Sequence, residues 1–202
     1  MRRRVCHAAG LLDGAIAGAP RNLDSIRKIR SATNCRIEVS GGLRTIDSVR
    51  ALAAAGADLI SIGSAAFLEP ELLKRACAEL PGRVFGSLDV RDGRLAIRGW
   101  TETSELNFAQ AIERFQQAGV AALIVTDISR DGTQAGPNTT LISELASSTF
   151  TPLIASGGVG SLQDISELKR QSARGLAGVI IGRALYERRF TLSAAIVAAE
   201  QE

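Results

Sequence analysis

The sequence predicts an α/β chain, a (β/α)8 TIM barrel assembled from two half-barrel repeats, on three observations. Short β-branched runs alternate with stretches of helical periodicity from residue 35 to the C-terminus. Segments 116 to 119 residues apart resemble one another. Glycine pairs follow strands at matching places in the two halves.

The chain opens on the basic stretch Met1 to Arg4 and the apolar run Val5-Cys6-His7-Ala8-Ala9-Gly10-Leu11-Leu12, which is short, contains a histidine and leads straight into Asp13-Gly14. A secretory signal is therefore not expected from this stretch, despite its superficial likeness to one, and no run attains the ~18 apolar residues of a membrane span. Ile37-Glu38-Val39 reads as a strand ending at Ser40-Gly41-Gly42, after which Thr45 caps a helix burying Ile46, Val49 and Ala53. Leu59-Ile60-Ser61-Ile62 precedes a helix entered at Pro70, whose fixed φ suits a first turn. Val84-Phe85-Gly86-Ser87-Leu88 precedes a helix carrying Phe108, Ala111, Ile112 and Phe115. Three further units pair Ala122-Leu123-Ile124-Val125 with a helix near 141–146, Leu153-Ile154-Ala155 with 162–169, and Val179-Ile180-Ile181 with 192–199. Strands so uniformly apolar are expected to be buried on both faces, in a parallel sheet covered by helices. Repeated right-handed crossovers of this length favour a barrel, with an open doubly wound sheet as the alternative.

The internal repeat sharpens that choice. Ile37-Glu38-Val39-Ser40-Gly41-Gly42-Leu43 matches Leu153-Ile154-Ala155-Ser156-Gly157-Gly158-Val159 at an offset of 116, and Ile62-Gly63-Ser64-Ala65 matches Ile181-Gly182-Arg183-Ala184 at 119. Asp13-Gly14-Ala15-Ile16-Ala17-Gly18 matches Asp131-Gly132-Thr133-Gln134-Ala135-Gly136 at 118. By this relation the second half runs from strand five to helix eight, while the first half begins near the end of strand two. At about 31 residues per unit of a 250-residue barrel, the chain holds roughly six and a half units. The expectation is one incomplete barrel domain over residues 1–202, lacking the first βα unit and most of strand two.

Composition narrows the function. With 46% hydrophobic and 22% charged residues, 20 Gly and 5 Pro, the chain is a globular domain with a core large enough to need no staples. The net charge is only +3 and the basic residues are scattered, Arg2 to Arg4 excepted, so no nucleic-acid stripe is present. Cys6, Cys35 and Cys77 are too far apart in sequence for a disulfide framework or metal set and fit a reducing, cytoplasmic compartment. His7 is the single histidine, which leaves acid–base chemistry to carboxylates and makes a multi-histidine metal site impossible.

Ser40-Gly41-Gly42 and Gly63-Ser64 fall at the C-terminal ends of consecutive strands, where bare backbone N–H groups can approach an anion. Gly157-Gly158 and Gly182-Arg183 repeat the arrangement, so two phosphate cradles would flank one barrel mouth and the implied ligand is a small bisphosphate. A lone Gly-Gly after a strand is equally a tight turn. Asp89 ends the strand beginning at Val84, with its side chain expected inward and that of Ser87 outward, and can act as general acid or base. The bland reading is a capping or salt-bridged aspartate. Asp127 and Asp131 can likewise simply organise a turn. The stretch from Val90 to Trp100 reads as a hairpin around Asp92-Gly93, ending in Arg98 and the single tryptophan, a cation and a flat ring suited to a planar heteroaromatic ligand.

Taken together, Ser40-Gly41-Gly42-Leu43-Arg44, Leu88-Asp89-Val90-Arg91-Asp92-Gly93, Arg98-Gly99-Trp100, Thr126-Asp127-Ile128-Ser129-Arg130-Asp131-Gly132-Thr133, Ala155-Ser156-Gly157-Gly158 and Ile181-Gly182-Arg183-Ala184-Leu185 resemble the phosphoribosylformimino-aminoimidazole carboxamide ribotide isomerase family of histidine biosynthesis. The resemblance covers Leu12 to the C-terminus. It implies a (β/α)8 barrel without cofactor, monomeric when complete, that performs an Amadori rearrangement of an aminoaldose to an aminoketose. It also implies that Asp89 is the acid that helps open the ribose ring, that Asp131 is a further active-site carboxylate, that Thr126 ends strand six, and that Trp100 belongs to a ring-stacking loop.

The family places its base on an aspartate ending strand one. The 118-residue offset carries Asp89 back to position −29, upstream of Met1, so an N-terminally truncated chain with impaired activity is expected. Two other readings stand beside the isomerase: the related cyclase of the same route, and a non-catalytic barrel remnant that binds phosphates or a partner.

Overall fold

β-branched and small residues that alternate between two buried environments build the centre of the fold, seen in a computed structural model that describes residues 6–11, 13–14, 21–171 and 175–200. The strands are β1 (Cys6–Gly10), β2 (Arg36–Ser40), β3 (Leu59–Ile62), β4 (Val84–Arg91), β5 (Arg94–Ile97), β6 (Glu102–Thr103), β7 (Ala122–Asp127), β8 (Leu153–Ser156) and β9 (Leu176–Ile180). Seven of them run parallel in the order β1-β2-β3-β4-β7-β8-β9, with β5 and β6 attached to β4 as an antiparallel extension. The spatial order follows the chain without reversal, which removes the doubly wound alternative because that fold requires a switch point. The architecture is that of the (β/α)8 barrel class, and among the described residues β1 and β9 form the two ends of the sheet.

The N-terminal expectation needs correction. Where only the tail of a strand was read, Cys6 to Gly10 form a five-residue strand, each residue in register with β2 from Arg36 to Ser40. The apolar run dismissed as a signal segment pairs because its neighbour offers a free parallel edge. Residues 15–18 of the repeat lie outside the described residues.

The helices are α1 (Leu23–Ala32), α2 (Ile46–Ala55), the single turn α3 (Ala65–Leu68), α4 (Pro70–Glu79), α5 (Phe108–Ala118), α6 (Thr139–Ser147), α7 (Leu162–Lys169), the single turn α8 (Arg183–Tyr186) and α9 (Leu192–Glu200). The Thr45 side chain accepts from the Ser48 N–H, as its position before α2 requires. That helix buries Val49, Leu52 and Ala55, so its inward face is rotated from the one expected and Ala53 sits at its margin. Along the strands Ile37, Val39, Ile60, Ile62, Leu88, Leu123, Val125, Leu153 and Ala155 are buried against the helices. The alternate set, including Glu38, Ser61, Ser87, Asp89 and Thr126, faces the interior of the curl. β9 departs from the expected two-sided burial: only Leu176 is buried and Ala177 is exposed, and among the described residues this strand pairs with β8 alone.

At the N-terminal ends of the strands, Arg30 pairs with Asp58 at 2.8 Å and also donates to the Thr33 and Cys35 carbonyls. The same Asp58 carboxylate accepts from the Ile37 N–H, and Arg83 donates to the Ala57 and Asp58 carbonyls. These contacts fasten the turns at the end of the barrel where stability, rather than chemistry, resides.

Candidate active site at the strand ends

Parallel strands deliver their C-terminal ends to one side, and every site residue read from the sequence lies there or in the loop that follows. Asp89 of β4 stands directly opposite Thr126 of β7. Ser87 is two residues from Asp89 and shares its face, contrary to the expected opposition, and its hydroxyl lies 3.4 Å from the Asp89 Oδ1. The indole N–H of Trp100 donates to Asp89 Oδ2 at 2.8 Å, and the Thr126 side chain bonds the same carboxyl. Burial pushes the Asp89 carboxyl above its ordinary value; the bonds from Trp100, Thr126 and Ser87 pull the other way, and the negative charge of Asp131 adds to the upward push. A carboxyl group whose proton affinity is raised by burial, facing the interior at the strand ends, is placed for general acid–base work. The capping and salt-bridge readings of Asp89 fall, since its partners are uncharged side chains.

The hairpin forms as read. β4 and β5 pair through Arg91 and Arg94 across a two-residue turn in which Asp92 and Gly93 have φ of 50° and 73°, the left-handed pair that matches strand twist. Beyond β5, Arg98, Gly99 and Trp100 all have positive φ, 53°, 65° and 71°. The turn is secured by the Arg98 N–H donating to the Ser64 hydroxyl at 2.8 Å, by Thr101 donating to the Arg98 carbonyl, and by Arg91 reaching the Trp100 carbonyl. The Arg98 side chain pairs with Glu102 at 3.2 Å, and both are half-exposed. A cleft of about 420 Å³ runs beside this turn, lined by Arg91, Ala96, Trp100, Thr101, Glu102 and Thr103.

The two glycine pairs echo each other in detail. Gly41 and Gly157 have φ of 106° and 95°, Gly42 and Gly158 of 74° and 86°. A Cβ on Gly41 would strike the Leu11 carbonyl, and one on Gly157 would lie 2.7 Å from the Asp127 carbonyl. In each half, then, the first glycine is pressed against the chain leaving the preceding strand, which only a residue without Cβ allows. Gly63 follows β3 and Gly182 follows β9, the latter with open space where a Cβ would be. Ser64 accepts the Arg98 N–H, and Arg183 pairs with Glu187 at 2.5 Å while reaching the Gly132 carbonyl at 3.0 Å. Strand order sets the Gly41–Ser64 group and the Gly157–Arg183 group on opposite flanks of Asp89 and Thr126.

Asp127 and Asp131 part company. Asp127 is buried and accepts from the Ser129 N–H and hydroxyl and from Asn138, which caps α6. Burial raises its carboxyl, the Ser129 and Asn138 bonds outweigh that, and the net shift is downward, as suits a turn organiser. Asp131 is exposed and close enough to act on Asp89.

Sequence reasoning missed Glu38, which is buried and accepts a 2.5 Å hydrogen bond from Ser61. Burial pushes its carboxyl up to about 7, against the bond from Ser61. The available signal was a lone acid in an otherwise apolar strand. No group of three or more His, Cys, Asp or Glu able to hold a metal ion occurs among the described residues.

Residues 11–191 match the family described as Histidine biosynthesis protein. Similar proteins include those of Magnetococcus marinus, 44% identical over 190 residues, and Desulfosudis oleivorans, 45% identical over 188. These matches take in 92% and 93% of this chain and 76% and 75% of the relatives. A relative from Gloeothece citriformis is 44% identical over 94% of this chain and 74% of its own. All three are named isomerases of an imidazole-4-carboxamide carrying two phosphoribosyl groups. A strand order that follows the chain, a half-barrel repeat visible in both glycine pairs, and a match across nearly the whole length converge: the chain belongs to the histidine biosynthesis protein family.

Proposed function

We propose that this chain is an isomerase of histidine biosynthesis that converts an aminoaldose to an aminoketose on an imidazole carboxamide bearing two phosphoribosyl arms, in the cytoplasm and without a cofactor. The observation that carries the reading is Asp89, a proton donor facing the interior between two symmetry-related glycine pairs at one end of the sheet. Gly41, Gly42, Gly63 and Ser64 hold one phosphate, and Gly157, Gly158, Gly182 and Arg183 hold the other, with backbone N–H groups as the principal donors. Asp89 gives its proton to the ring oxygen of one ribose as the bond from that oxygen to the anomeric carbon breaks, and the amine nitrogen takes up the electron deficiency as an iminium. A carboxylate base takes the proton from the neighbouring carbon to give an enaminol; a proton then returns to the former anomeric carbon while the hydroxyl of the neighbouring carbon gives up its proton, restoring the acid and leaving the aminoketose. Thr126 and Ser87 orient the acid, burial and, to a lesser degree, the negative charge of Asp131 raise its affinity for the proton, and Trp100 offers a ring face to the imidazole.

The test is turnover of the bisphosphorylated imidazole carboxamide by the purified chain and by Asp89→Asn, with circular dichroism on both. The wild type is expected to turn over and Asp89→Asn to lose about 10²-fold or more, the weight of a general acid. A folded wild type that binds the compound without converting it would sink the enzymatic reading in favour of a binding protein. Ammonia-dependent cyclisation would favour the cyclase.

A further inference from the structure

The chemistry at Asp89 leaves a buried acid beneath it unused. Glu38 is 6% exposed and accepts its hydrogen bond from Ser61, itself 2% exposed. The fold does not call for this pair. At the offsets of the repeat Glu38 corresponds to Ile154 and Ser61 to Ile180, so the other half fills the same two places with isoleucine. Burying a carboxyl where an aliphatic side chain serves is costly and points to a use. The strand registers show where the pair leads. Glu38 lies opposite Leu59, and Ser61 is the next residue of β3 on that face. Ser61 in turn lies opposite Phe85, and Ser87 is the next residue of β4 on that face. The Ser87 hydroxyl donates to Asp89 Oδ1 at 3.4 Å. Two identical diagonal steps thus climb from Glu38 to the acid. Gly63, next above Ser61, leaves the way open, since a Cβ there would stand 3.6 Å from that of Ser87.

We propose that Glu38, Ser61 and Ser87 form a proton relay ending at Asp89, with Glu38 as the store from which the acid is recharged. The diagonal between the two serines, roughly 7 Å between β-carbons, is what one bridging water spans. The transfer balances. Glu38 gives its proton to the Ser61 oxygen as the Ser61 proton moves through the water to Ser87 and the Ser87 proton moves to Asp89, so only the two end carboxyls change charge. When the ribose ring oxygen takes the Asp89 proton, the relay refills it, and the proton that the enaminol hydroxyl returns runs back to Glu38. The surroundings suit a store. Burial holds the Glu38 carboxyl at about 7, so it carries a proton near neutrality. Its neighbours add no charge: Ser61 of β3 is neutral, and the Cys6 thiol of β1, within electrostatic range, is pushed up by burial and stays protonated at neutral pH. Asp89 faces the uncharged Trp100, Thr126 and Ser87, and the charge of Asp131 acts on it to favour taking the proton. Glu38 is thus a positioning residue for the proton, acting through Asp89, and this role rests on the isomerase reading.

Carbon-13 NMR of the side-chain carboxyls reads the relay without substrate. Two carboxyls that share a proton titrate as a pair, so the Asp89 signal of the wild type should carry a step at the pH where Glu38 titrates, and Glu38→Gln should lack it. Ser61→Ala keeps both carboxyls but breaks the relay, so the shared step should vanish there and return in Ser61→Thr, which restores a hydroxyl. Ser87→Ala breaks the relay at a second point and should lose the step even where Ser61→Ala does not fold. An Asp89 signal without the step in the wild type, or a step that survives in a folded Ser61→Ala or Ser87→Ala, overturns the relay, since the field of Glu38 alone would then account for it. With the imidazole carboxamide substrate, Glu38→Gln should lower kcat about 10-fold at pH 7 with KM unchanged and move the basic limb of kcat to lower pH. A merely structural loss would leave that limb in place, and a limb in place overturns the relay. Absence of turnover in the wild type would refute the isomerase reading alone, because the substrate-free titrations decide the relay independently.

Discussion

Glu38 lies under the proposed chemistry, buried in an apolar strand where the fold opposes its ionisation. Its carboxyl titrates at about 7 against an ordinary 4.5, because burial disfavours the anion. A group with a raised folded value contributes stability that is full below about 4.5 and is lost as pH rises through 7. Between pH 5 and pH 8 the wild type should lose about 2–3 kcal/mol of unfolding free energy from this residue, at roughly 1.4 kcal/mol per unit. Glu38→Gln keeps an acceptor for Ser61 and removes the titration, so urea unfolding at the two pH values should show it more stable than wild type at pH 8 and nearly equal at pH 5. A wild type equally stable at both would show the carboxyl to be hydrated. This acid was visible in the sequence as an odd member of Ile37-Glu38-Val39, but its burial was not, because one strand alone does not say which of its faces meets the closed interior. Asp89 was readable for the opposite reason: it closes an apolar run and opens a turn signal, a position that topology converts into the strand ends. The error over Ser87 came from setting aside the two-residue period of the strand that both occupy.

The boundaries of helices were readable where a cap announces them. Ser161 and Asp164 form a reciprocal capping box at the start of α7, and the helix spans the 162–169 expected from its periodicity. Ser161→Ala should cost about 1 kcal/mol, measured by denaturant unfolding. Strand ends were less readable, since β4 continues past Leu88 because Asp89 and Val90 pair with β7 while β5 folds back to pair with residues up to Arg91. Gly86 joins a strand to a helix: a Cβ there would lie 2.5 Å from the Phe115 ring and 2.8 Å from Leu123. Gly86→Ala should therefore destabilise by about 1–3 kcal/mol through overpacking, lowering the Tm by roughly 2–4 °C per kcal/mol. An unchanged Tm would mean that the α5 ring moves aside freely. The inward face of α2 was misjudged by one position because Ala51, Ala53, Ala54 and Ala55 are alike in sequence and only packing against the sheet chooses among them.

Sequential strand order was the most readable feature of all, because the repeat at offsets of 116 to 119 relates whole strand–helix units rather than single residues. The strand at Cys6 was not readable, as a short apolar run carries no period and takes its identity from the neighbour it pairs with. Amide exchange should follow the same geography. β4 and β7, each flanked by parallel partners, should exchange slowest, and β1 and β9 fastest among the parallel strands. Uniform protection across all seven would contradict the sheet order. The echo between Gly41 and Gly157, each backed by the chain leaving the strand before it, has a practical corollary. One molecule holds two copies of the same backbone device in unlike surroundings, so Gly41→Ala and Gly157→Ala form a matched pair in which the chemistry of the change cancels. Whatever difference remains between them is a direct reading of how far two ancestrally equal halves have drifted into separate jobs.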